Sequence, residues 1–532
     1  MSKKSVLVIA FLGLFTASSS AQSNMSLVWQ RTLGGTGYDE ATSIVATRDG
    51  GMIVAGYTAS SDGDVNGHHG SSDVPDGWIV KMDANHNVQW QRSLGGTFED
   101  QIVRVIQTSD GGYAVAGYSG SDDGDFTANA GVYDGFVAKL DSLGNITWIH
   151  NFGGQTDDEF YSISETSDHG LIVCGTSNST NGDLRTQTHF GGYDAWVVKL
   201  SSAGSIDWQR TYGGTDDDEA YDIKTTSDGG FIFSGYTYSA TGTFAANHGS
   251  TDLWVVKLGS TGAPQWQKLI GGTLDEEGDA VVQTSDKGYA IIGYTTSFNG
   301  DVSDNHSNDT LPDCFLVKLD QNGTKLWTKC YGGSDDDAAT DVIETTPDHG
   351  LAFAGYASSL DGDVTKTLGP PDAWLVKTDA AGALQWQVSL GGGDSDVAYS
   401  LAQRVQSVLF CGSTASTNGD VTSNHGFLDV WVGEYGVTSG VPSQTVHSTR
   451  VMAYPNPFIV RTSIVLPEGF LDGSSGTSVT LVNSIGTEVL HRPVTGVGNT
   501  IVLERGTLAT GLYQCRVVSG AKVLLTTLVV VN

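Results

Sequence analysis

Seven tryptophans recur along the chain about sixty residues apart, and each stands a few residues before a Gly-Gly pair. They are Trp29, Trp90, Trp148, Trp208, Trp266, Trp327 and Trp386. A period of this length without helical patterning inside it indicates a repeated β-unit, and seven units match a common number of propeller blades. The sequence therefore predicts an all-β protein whose main body is a seven-bladed β-propeller.

Each repeat is predicted to form four strands. In the fourth repeat, residues 221–226, 231–237, 252–258 and 265–270 have the length and composition of strands, and an Asp-Gly-Gly turn joins the first two. The third strand of every repeat carries one large aromatic residue, which predicts packing between neighbouring sheets. These residues are Trp78, Phe136, Trp196, Trp254, Phe315, Trp374 and Trp431.

The order of the strand types predicts how the array ends. The fourth type appears first at residues 28–33, before any complete repeat, and it is missing after Glu434. The N-terminal segment Val28 to Leu33 is therefore predicted to complete the last sheet and to close the ring, which leaves no unpaired edge. The propeller is predicted to span residues 27–436.

The first residues of the chain read as an export signal. Residues 1–21 contain Lys3 and Lys4, an apolar run over 6–15, and small residues up to Ala21. No later stretch reaches the ~18 apolar residues that a membrane-spanning helix needs. The sequence predicts a signal peptide, no transmembrane segment, and a protein that is secreted or held at the outer cell surface.

The formal net charge is −33, and residues 22–450 carry nearly all of the acidic excess. Such a surface repels nucleic acid and anionic membranes, and it attracts cations. We therefore expect no nucleic-acid partner. Solubility outside the cell and a specific role for a cation both remain open as reasons for the charge.

Two acidic segments recur along the array, one in every repeat and the other in all repeats but one, and the strand order places both at the same face of the propeller. One follows Gly-Gly, as in Tyr38-Asp39-Glu40 and Asp275-Glu276-Glu277. The other is an Asp/Asn-Gly-Asp loop between the second and third strands. Because calcium takes six to eight oxygen ligands, this loop is a candidate Ca²⁺ site. The candidate ligands are Asp62, Asp64, Asp123, Asp125, Asp183, Asp301, Asp361, Asp363 and Asp420.

Turn capping is the alternative for these loops, because Asp and Asn side chains often accept nearby backbone N–H groups. Histidines further along the same loops are candidate ligands for a transition metal, and ordinary hydrogen bonding is again the alternative. They are His68, His69, His248, His306 and His425.

No catalytic motif interrupts the repetition. The chain has no Gly-x-Ser-x-Gly elbow, no His-Glu-x-x-His and no phosphate-binding loop before a helix. The sequence therefore predicts no catalytic centre and favours a protein that is not an enzyme. Two carboxylates of a glycosidase remain a rival interpretation.

Two of the five cysteines lie in one predicted hairpin. Cys314 and Cys330 flank the turn at 321–323, and symmetrical pairing about this turn places them directly opposite each other. A disulfide between them is therefore within reach, and two free thiols are the alternative. Cys174, Cys411 and Cys515 are expected to be buried apolar residues.

The repeats stop after Tyr435, and residues 437–450 read as a linker. Short alternating runs then predict six or seven strands within residues 451–532, enough for a small Ig-like β-sandwich. The runs are 462–466, 478–483, 487–490, 500–503, 511–518 and 523–531.

Three motifs in this tail occur in order. They are Tyr454-Pro455-Asn456-Pro457-Phe458, then Asn483 to Gly486, then Leu508 to Tyr513, which includes Gly511. Together they resemble the type A C-terminal sorting domain of type IX secretion substrates from Bacteroidetes-type bacteria. The repeats in turn resemble the Trp/Gly-Gly/Asp-Gly-Gly arrays often attached to such tails. The resemblance implies that the type IX machinery recognises residues 451–532 and that the tail is usually removed after export.

The sequence thus predicts an exported β-propeller that acts as a binding or adhesion module for an extracellular glycan or protein. An extracellular polysaccharide-active hydrolase or lyase is one alternative, and a structural surface protein is another.

Overall fold

The computed structural model describes residues 25–241, 247–307 and 310–437. Of the tail it describes 452–454, 459–466, 478–483, 488–493, 500–506, 508–519 and 522–530. The predicted signal peptide and residues 438–450 of the predicted linker lie outside the described residues. The chain divides into two compact units, one of residues 27–436 and one that contains the C-terminal strands. No helix among the described residues is long and apolar enough to cross a membrane.

The unit of residues 27–436 consists of short antiparallel strands. Its strands are β1 (Met25–Leu33), β2 (Asp39–Ala46), β3 (Met52–Thr58), β4 (Asp76–Met82), β5 (Val88–Leu94), β6 (Asp100–Gln107), β7 (Tyr113–Ser119), β8 (Asp134–Leu140), β9 (Ile146–Phe152), β10 (Asp158–Glu165), β11 (Leu171–Ser177), β12 (Asp194–Leu200), β13 (Ile206–Tyr212) and β14 (Asp218–Thr225). They continue as β15 (Phe231–Thr237), β16 (Asp252–Leu258), β17 (Pro264–Ile270), β18 (Glu276–Gln283), β19 (Tyr289–Thr295), β20 (Asp313–Leu319), β21 (Lys325–Tyr331), β22 (Asp337–Glu344), β23 (Leu351–Ala357), β24 (Asp372–Thr378), β25 (Leu384–Leu390), β26 (Asp396–Gln403), β27 (Ser407–Thr414) and β28 (Asp429–Val437). A short 3₁₀ helix, Gly182–Thr186, lies between β11 and β12.

These strands form repeated four-stranded antiparallel sheets, which confirms the predicted class and is consistent with a β-propeller. Six of the sheets use four consecutive strands, from β2-β3-β4-β5 to β22-β23-β24-β25. The remaining sheet has the order β1-β28-β27-β26. The N-terminal strand β1 is therefore hydrogen-bonded beside β28, where the strand order predicted it.

The first strands of the sheets, called the inner strands below, pack against one another from sheet to sheet. They are β2, β6, β10, β14, β18, β22 and β26, and β26 in turn packs against β2. Side chains at the bulges of five inner strands bridge to the next sheet. Ser43 Oγ accepts the backbone N–H of Val105 at 3.2 Å, and Ser400 Oγ accepts that of Ile44 at 3.3 Å. The last and first sheets are thus joined by the same serine-to-backbone hydrogen bond that joins the first sheet to the second.

Apolar side chains fill the space between neighbouring sheets. The aromatic residue predicted on each third strand is buried there, as in the cluster that joins Trp78 to Cys411 of the last sheet. The indole of Trp78 donates a hydrogen bond to Gln91 Oε1 of the adjacent fourth strand at 2.6 Å. Trp431 makes the same bond to Gln30 of β1 at 3.0 Å. Strand β1 therefore supplies the side chain that a fourth strand supplies elsewhere.

The repeated tryptophans of the fourth strands pack on a turn of the next sheet. In five sheets this turn offers a glycine, as where a Cβ built on Gly144 would lie 2.8 Å from the ring of Trp90. At the junction of the last and first sheets the turn residue is His86, whose φ is 65°. Its ring stacks on Trp29 with centroids 4.1 Å apart. We call the junction of the last and first sheets the seam. Here a stacked pair of rings takes the place of the contact between a tryptophan and a glycine.

Of the two alternatives for Cys314 and Cys330, the structure has the free thiols and no disulfide. A bulge between Lys318 and Leu319 shifts the hairpin register, so that Cys330 pairs with Phe315. Neighbouring residues of a strand point to opposite faces of the sheet. Cys314 accordingly packs in the core on one side of its sheet and Cys330 in the core on the other side. Cys174, Cys411 and Cys515 are buried, as predicted.

The described residues of the C-terminal unit form two sheets from seven strands. Its strands are β29 (Met452–Tyr454), β30 (Arg461–Val465), β31 (Ser478–Asn483), β32 (Glu488–Pro493), β33 (Thr500–Glu504), β34 (Gly511–Ser519) and β35 (Lys522–Val530). One sheet has the order β29-β30-β33 and the other β32-β31-β34-β35. Side chains of both sheets, such as Ile464 and Val517, share one apolar core. The Ig-like type remains a prediction.

Part of the sorting motif can be placed in this unit. Tyr454 ends β29, and residues 455–458 (Pro455, Asn456, Pro457 and Phe458) lie outside the described residues. Gly511 begins β34. Tyr513 is buried, and its hydroxyl donates a hydrogen bond to the carbonyl of Ala509 at 2.8 Å. Tyr513 thereby ties the start of β34 to the chain that precedes it.

We expect Gly144→Ala to destabilise the protein more than Gly111→Ala does. Both glycines have a positive φ, 83° and 87°, so alanine carries a similar backbone cost of about 1 kcal/mol at either position. Only at Gly144 does the new methyl group also meet a tryptophan ring, which adds about 1–3 kcal/mol of overpacking. Chemical denaturation of the two variants measures the difference, and equal losses would contradict the packing described.

Candidate functional site

The two acidic segments of each repeat meet at one end of the sheets, where the inner strands begin and the second strands end. We call this end the loop side and the opposite end the turn side. The backbone N–H of Gly37, in the connection after Gly-Gly, donates to Ser60 Oγ of the neighbouring loop at 2.8 Å. The backbone N–H of Thr36 donates to Asp62 of the same loop at 2.8 Å. The predicted meeting of the two segments is therefore present.

Three of the candidate calcium loops begin with an acid, and each of these acids accepts a backbone hydrogen bond. The residue after Gly-Gly donates its N–H to Oδ1 of the acid, at 2.8 Å for Asp62, 2.8 Å for Asp123 and 2.7 Å for Asp361. An oxygen that already accepts a strong hydrogen bond is a poorer ligand for a metal ion. These three carboxylates act as turn caps.

The second acids of the loops are held in a similar way. Oδ2 of the acid accepts the N–H of the first glycine of Gly-Gly, at 3.3 Å for Asp125, 3.2 Å for Asp183, 3.3 Å for Asp301 and 3.3 Å for Asp420. Asp64 is paired with Arg31 at 3.3 Å, and the backbone N–H of Asp363 donates to the carbonyl of Gly332. Nowhere in the described residues do three His, Cys, Asp or Glu side chains meet as a metal site. The geometry favours the turn-capping alternative.

The loop histidines form hydrogen bonds with buried aspartates. His69, His248, His306 and His425 each place Nδ1 within 2.6–2.9 Å of the aspartate that begins the following third strand. His189 makes the same contact with Asp194 at 3.1 Å, a pair that the sequence interpretation missed. His68 lies 3.0 Å from the carbonyl of Val74. These contacts match the ordinary hydrogen bonding that was the alternative to metal ligation.

Each inner strand begins with a fully buried carboxylate. These are Asp39, Asp100, Asp158, Asp218, Glu276, Asp337 and Asp396. Asp100 shows the common arrangement: it accepts the N–H of Gly96 at 2.8 Å and the hydroxyl of Ser121 at 2.8 Å, and it bonds the hydroxyl of Ser119. Burial raises the pKa of Asp100 to about 6. The carboxylate fastens the connection between sheets to the end of the second strand.

A second set of buried acids begins the third strands. For six of the seven, Oδ1 has no hydrogen-bond partner among the described residues; they are Asp76, Asp134, Asp194, Asp252, Asp313 and Asp429. Asp134 faces Asp158 of the next sheet, because a Cβ built on Gly153 would lie 2.7 Å from an oxygen of each. Burial raises the pKa of Asp134 to about 6, and the charges of Asp158 and Asp183 act in the same direction. Carboxyl groups thus face each other where adjacent sheets meet.

A further group of carboxylates lies on the inner strands themselves. The residue after the buried acid is Glu40, Glu159, Glu219 or Glu277 in four of the sheets, and each of these is half-buried. The hydroxyl of Tyr236 donates to Glu219 at 2.9 Å, and that of Tyr294 donates to Glu277 at 2.7 Å. The sequence interpretation included these glutamates among its acidic segments, but it did not associate tyrosines with them.

Tyrosine rings connect these glutamates from sheet to sheet. The rings of Tyr161 and Tyr221 lie 5.6 Å apart, and those of Tyr221 and Tyr236 lie 5.5 Å apart. Tyr57 and Tyr399 lie near Glu40 and lower its pKa, which burial raises, and this extends the group across the seam. Asp279 of β18 belongs to the same group. We call this set the inner cluster, and it comprises Glu40, Glu159, Glu219, Glu277, Asp279, Tyr57, Tyr161, Tyr221, Tyr236, Tyr294 and Tyr399.

Arg104 lies among the inner strands and reaches across to other sheets. Its guanidinium is 3.4 Å from Asp222 of β14 and 3.6 Å from Asp341 of β22. Asp222 is fully buried, and it also accepts a hydrogen bond from Lys224 at 2.6 Å. Because the partners are 118 and 237 positions away in the chain, no short motif could have revealed them. A lone arginine among the acids of the inner strands was the one available signal.

No family model matches the chain. It is 25% identical over 429 residues to the regulatory protein FlaEY of Caulobacter vibrioides, which covers 69% of this chain and 42% of that protein. It is 20% identical over 323 residues to the uncharacterized WD repeat-containing protein L264 of Acanthamoeba polyphaga mimivirus, covering 46% and 23% respectively. The chain thus spans less than half the length of these curated relatives.

The chain aligns with solved structures at low TM-scores. The WD40 β-propeller domain of Doa1 aligns with a TM-score of 0.42 and 11% identity over 78% of this chain and 97% of that one. A putative 6-phosphogluconolactonase from Bacteroides fragilis aligns with a TM-score of 0.38 and 10% identity over 72% and 99%.

We expect the protein to be most stable between about pH 4 and 5. Folding raises the pKa of Asp100, Asp134 and Asp194 to about 6, so these groups favour the folded state below about pH 4 and lose that effect as the pH rises through 6. Asp168 on the turn side behaves oppositely. Hydrogen bonds from Thr166, together with the Lys199 charge, lower its pKa to about 2, so its contribution disappears as the pH falls from about 4 towards 2.

Denaturation midpoints between pH 3 and pH 8 check this expectation. Asp134→Asn removes one raised pKa and is expected to flatten the decline between pH 5 and 7. A midpoint that climbs steadily from pH 4 to pH 7 would show that the buried carboxyls do not control the profile.

We expect the melting temperature to be the same in excess EDTA and in millimolar calcium chloride. Eight of the nine candidate carboxylates already make backbone or ionic contacts, which calcium would have to break. An occupied site would stabilise the protein by about 2.7 kcal/mol at a hundredfold excess of calcium over its Kd. A rise in melting temperature with calcium that Asp123→Asn abolishes would restore the metal interpretation of these loops.

Proposed function

We propose that this protein is an exported binding module whose sheets close a seven-bladed β-propeller and whose loop side contacts an extracellular glycan or protein. Closure is supported by the pairing of β1 with β28 and by the packing of β26 against β2. The single observation that carries the binding role is a set of exposed aromatic rings on the loop side. Soluble proteins rarely expose such rings together unless they bind a partner.

The exposed rings stand beside the acidic connections. Tyr38 is 56% exposed, Phe98 is 59% exposed and Phe427 is 70% exposed. Tyr38 and Phe427 stack with centroids 5.4 Å apart, and they come from the first and last sheets. Phe98 lines a cavity of about 330 Å³ together with Val132. Flat aromatic surfaces bordered by carboxylates suit the ring faces and hydroxyl groups of sugars, and they also suit protein side chains.

The route of export is part of the same proposal. The tail resembles a type IX sorting domain, and the motifs that carry the resemblance include Tyr454, Gly511 and Tyr513. We propose that the type IX machinery recognises residues 451–532 after the signal peptide has directed the chain across the inner membrane. The mature protein is then secreted or held at the outer cell surface.

A polysaccharide-active hydrolase is the second candidate, and one observation favours it. Burial, with the charges of Glu159 and Glu277, raises the pKa of Glu219 to about 7. A carboxyl group that stays protonated near neutral pH is what a general acid for glycoside hydrolysis requires.

Arrays of glycans and extracellular proteins, probed with the purified protein, test the binding role. We expect Tyr38→Ala combined with Phe427→Ala to weaken binding at least tenfold, because the stacked pair supplies the exposed apolar contact. Leu143→Ala on the turn side is the matched control, since Leu143 is also exposed. Equal loss in both variants, or no ligand on any array, would contradict the proposal. Product release that Glu219→Gln abolishes would identify the enzyme instead.

A further inference from the structure

We infer that a cavity between the second sheet (β6–β9) and the third sheet (β10–β13) binds one sugar unit of a glycan. The cavity has a volume of about 580 Å³, which is within the range of small-ligand sites. It lies on the loop side, and none of the exposed aromatic rings described above lines it. The inference deepens the proposed function and rests on it, because it names a glycan as the ligand and gives that ligand a second point of contact.

The walls of the cavity come from both sheets. Asp134 begins β8, and Asn151 lies on β9 beside it. Asn151 pairs with Phe136, which stands two residues after Asp134. Because directly paired side chains share a face, as do side chains two positions apart on one strand, Asp134 and Asn151 project from the same face of the sheet. Arg185 and Thr186 of the short 3₁₀ helix supply the wall from the third sheet.

Asp134 is the buried acid of this cavity. It is 2% exposed, and its Oδ1 accepts no hydrogen bond from the described part of the chain. This oxygen faces Gly153, which also lines the cavity, since a Cβ built on Gly153 would lie 2.7 Å from it. A buried acceptor without a donor is unfavourable, and a ligand that donates a hydrogen bond would relieve it.

A break in the repeat separates Asp134 from its counterparts. Of the six third-strand acids whose Oδ1 lacks a partner, the other five have a histidine ring 2.6–3.1 Å from Oδ2. In four of those five, the histidine also donates its backbone N–H to Oδ2. The residue that does so for Asp134, at 2.7 Å, is Ala130. Alanine leaves space where an imidazole lies elsewhere, and it leaves the carboxylate without the histidine contact.

Asn151 shows a second break at the same cavity. Its Nδ2 is buried and has no hydrogen-bond partner among the residues that the structure describes. At the same position of other fourth strands, Ser93 donates to the carbonyl of Asn66 at 3.3 Å and Thr211 donates to that of Thr188 at 2.5 Å. Those side chains are satisfied by the loop of their own sheet, whereas Asn151 keeps a free donor.

The two unpartnered atoms have opposite hydrogen-bonding character. Oδ1 of Asp134 accepts a hydrogen bond, and Nδ2 of Asn151 donates one. Hydroxyl groups satisfy both atoms, because each hydroxyl donates one hydrogen bond and accepts others. A metal ion would leave the amide donor unpartnered, and an apolar ligand would leave both groups unpartnered. The geometry therefore favours a ring that carries several hydroxyl groups, which is the chemistry of a sugar.

The loop between β7 and β8 joins this cavity to the surface of the proposed function. Residues 128–130 line the polar cavity, and Val132 and Tyr133 of the same loop line the cavity that contains Phe98. A glycan chain that crosses this loop places one unit beside Phe98 and another beside Asp134. The two cavities thus act as neighbouring subsites for one chain.

Saturation-transfer NMR of the purified protein with the methyl glycosides of glucose, galactose and mannose tests the inference. We expect saturable binding of at least one glycoside, and we expect Asp134→Asn to weaken it at least fivefold, because the amide is a poorer acceptor than the carboxylate. Asp252→Asn is the matched control, with an expected change below twofold. It makes the same change at the start of β16, where the ring of His248 contacts the carboxylate at 2.7 Å.

Ala130→His separates lost binding from lost folding. It introduces the residue that four other sheets have at this place, so we expect the imidazole to contact Asp134, to fill the cavity and to abolish glycoside binding without lowering the melting temperature. Tyr38→Ala combined with Phe427→Ala is expected to leave binding of the free glycosides within twofold, since neither ring lines the cavity.

The outcomes distinguish this inference from the proposed function. Absence of glycoside binding, equal effects of Asp134→Asn and Asp252→Asn, or unchanged binding in Ala130→His would each overturn the inference. Glycan binding on arrays that the paired Tyr38 and Phe427 substitutions remove, but that Ala130→His leaves intact, would overturn the inference while the proposed function stands. The reverse result would contradict the role of the exposed rings and support the cavity.

Discussion

The buried carboxylate at the start of each inner strand is the interaction on which the rest of the unit depends. In the sheet that begins at Asp100, one side chain binds the connection from the previous sheet through the N–H of Gly96 and binds the end of the second strand through Ser119 and Ser121. Without these bonds the charge would be buried unpaired, which is strongly unfavourable. The Gly-Gly pair, the acid and the serine must therefore occur together, and this requirement explains why the repeat is so regular.

The acidic residues of this unit fall into two groups, which differ in the side chains that they contact. On the turn side, aspartates such as Asp168 face buried lysines of the third strand, and Lys199 lies 3.1 Å from this carboxylate. On the loop side and among the inner strands, many acids face other acids, tyrosines or histidines, although Asp64 pairs with Arg31 and Asp222 with Arg104. The last sheet departs from this pattern, because Glu434 replaces the lysine and pairs with Arg404 at 3.1 Å. The large net charge is thus distributed unevenly: the turn side is largely compensated, and the loop side retains the excess.

Much of the fold could be predicted from the sequence because it follows from local periodicity. The place of Val28 to Leu33 beside the last sheet followed from counting strand types, and the pairing of Trp431 with Gln30 matches it. Details that depend on the register of paired strands were harder to predict. The bulge at Lys318 and Leu319 places Cys330 on the side of the sheet opposite to Cys314, and no residue type at this position indicates a bulge.

The candidate site, too, could be predicted from the sequence only in part. The meeting of the two acidic segments was predictable from strand order alone. Turn capping and calcium binding were both named for them from the sequence, which could not decide between the two, because an Asp-Gly-Asp stretch offers the same oxygens to an N–H group and to a cation. Asp279 and Tyr221 escaped notice because they stand in strands, where alternating polar residues usually face water. Arg104 needed three-dimensional information, since its two partners come from distant repeats.

The seam formed by Trp29, His86 and β28 has a consequence for how the molecule assembles. Strand β1 is made first, yet its hydrogen-bonding partner is the last strand of the array to leave the ribosome. Six sheets can fold as soon as their own strands are available, while the seventh waits for a contact that spans some four hundred residues. Bringing together two strands so far apart in the chain costs conformational entropy, so completion of this sheet is expected to be the slowest step of folding. Until it happens, two strand edges stay unpaired, and chain-to-chain association competes with completion of the molecule.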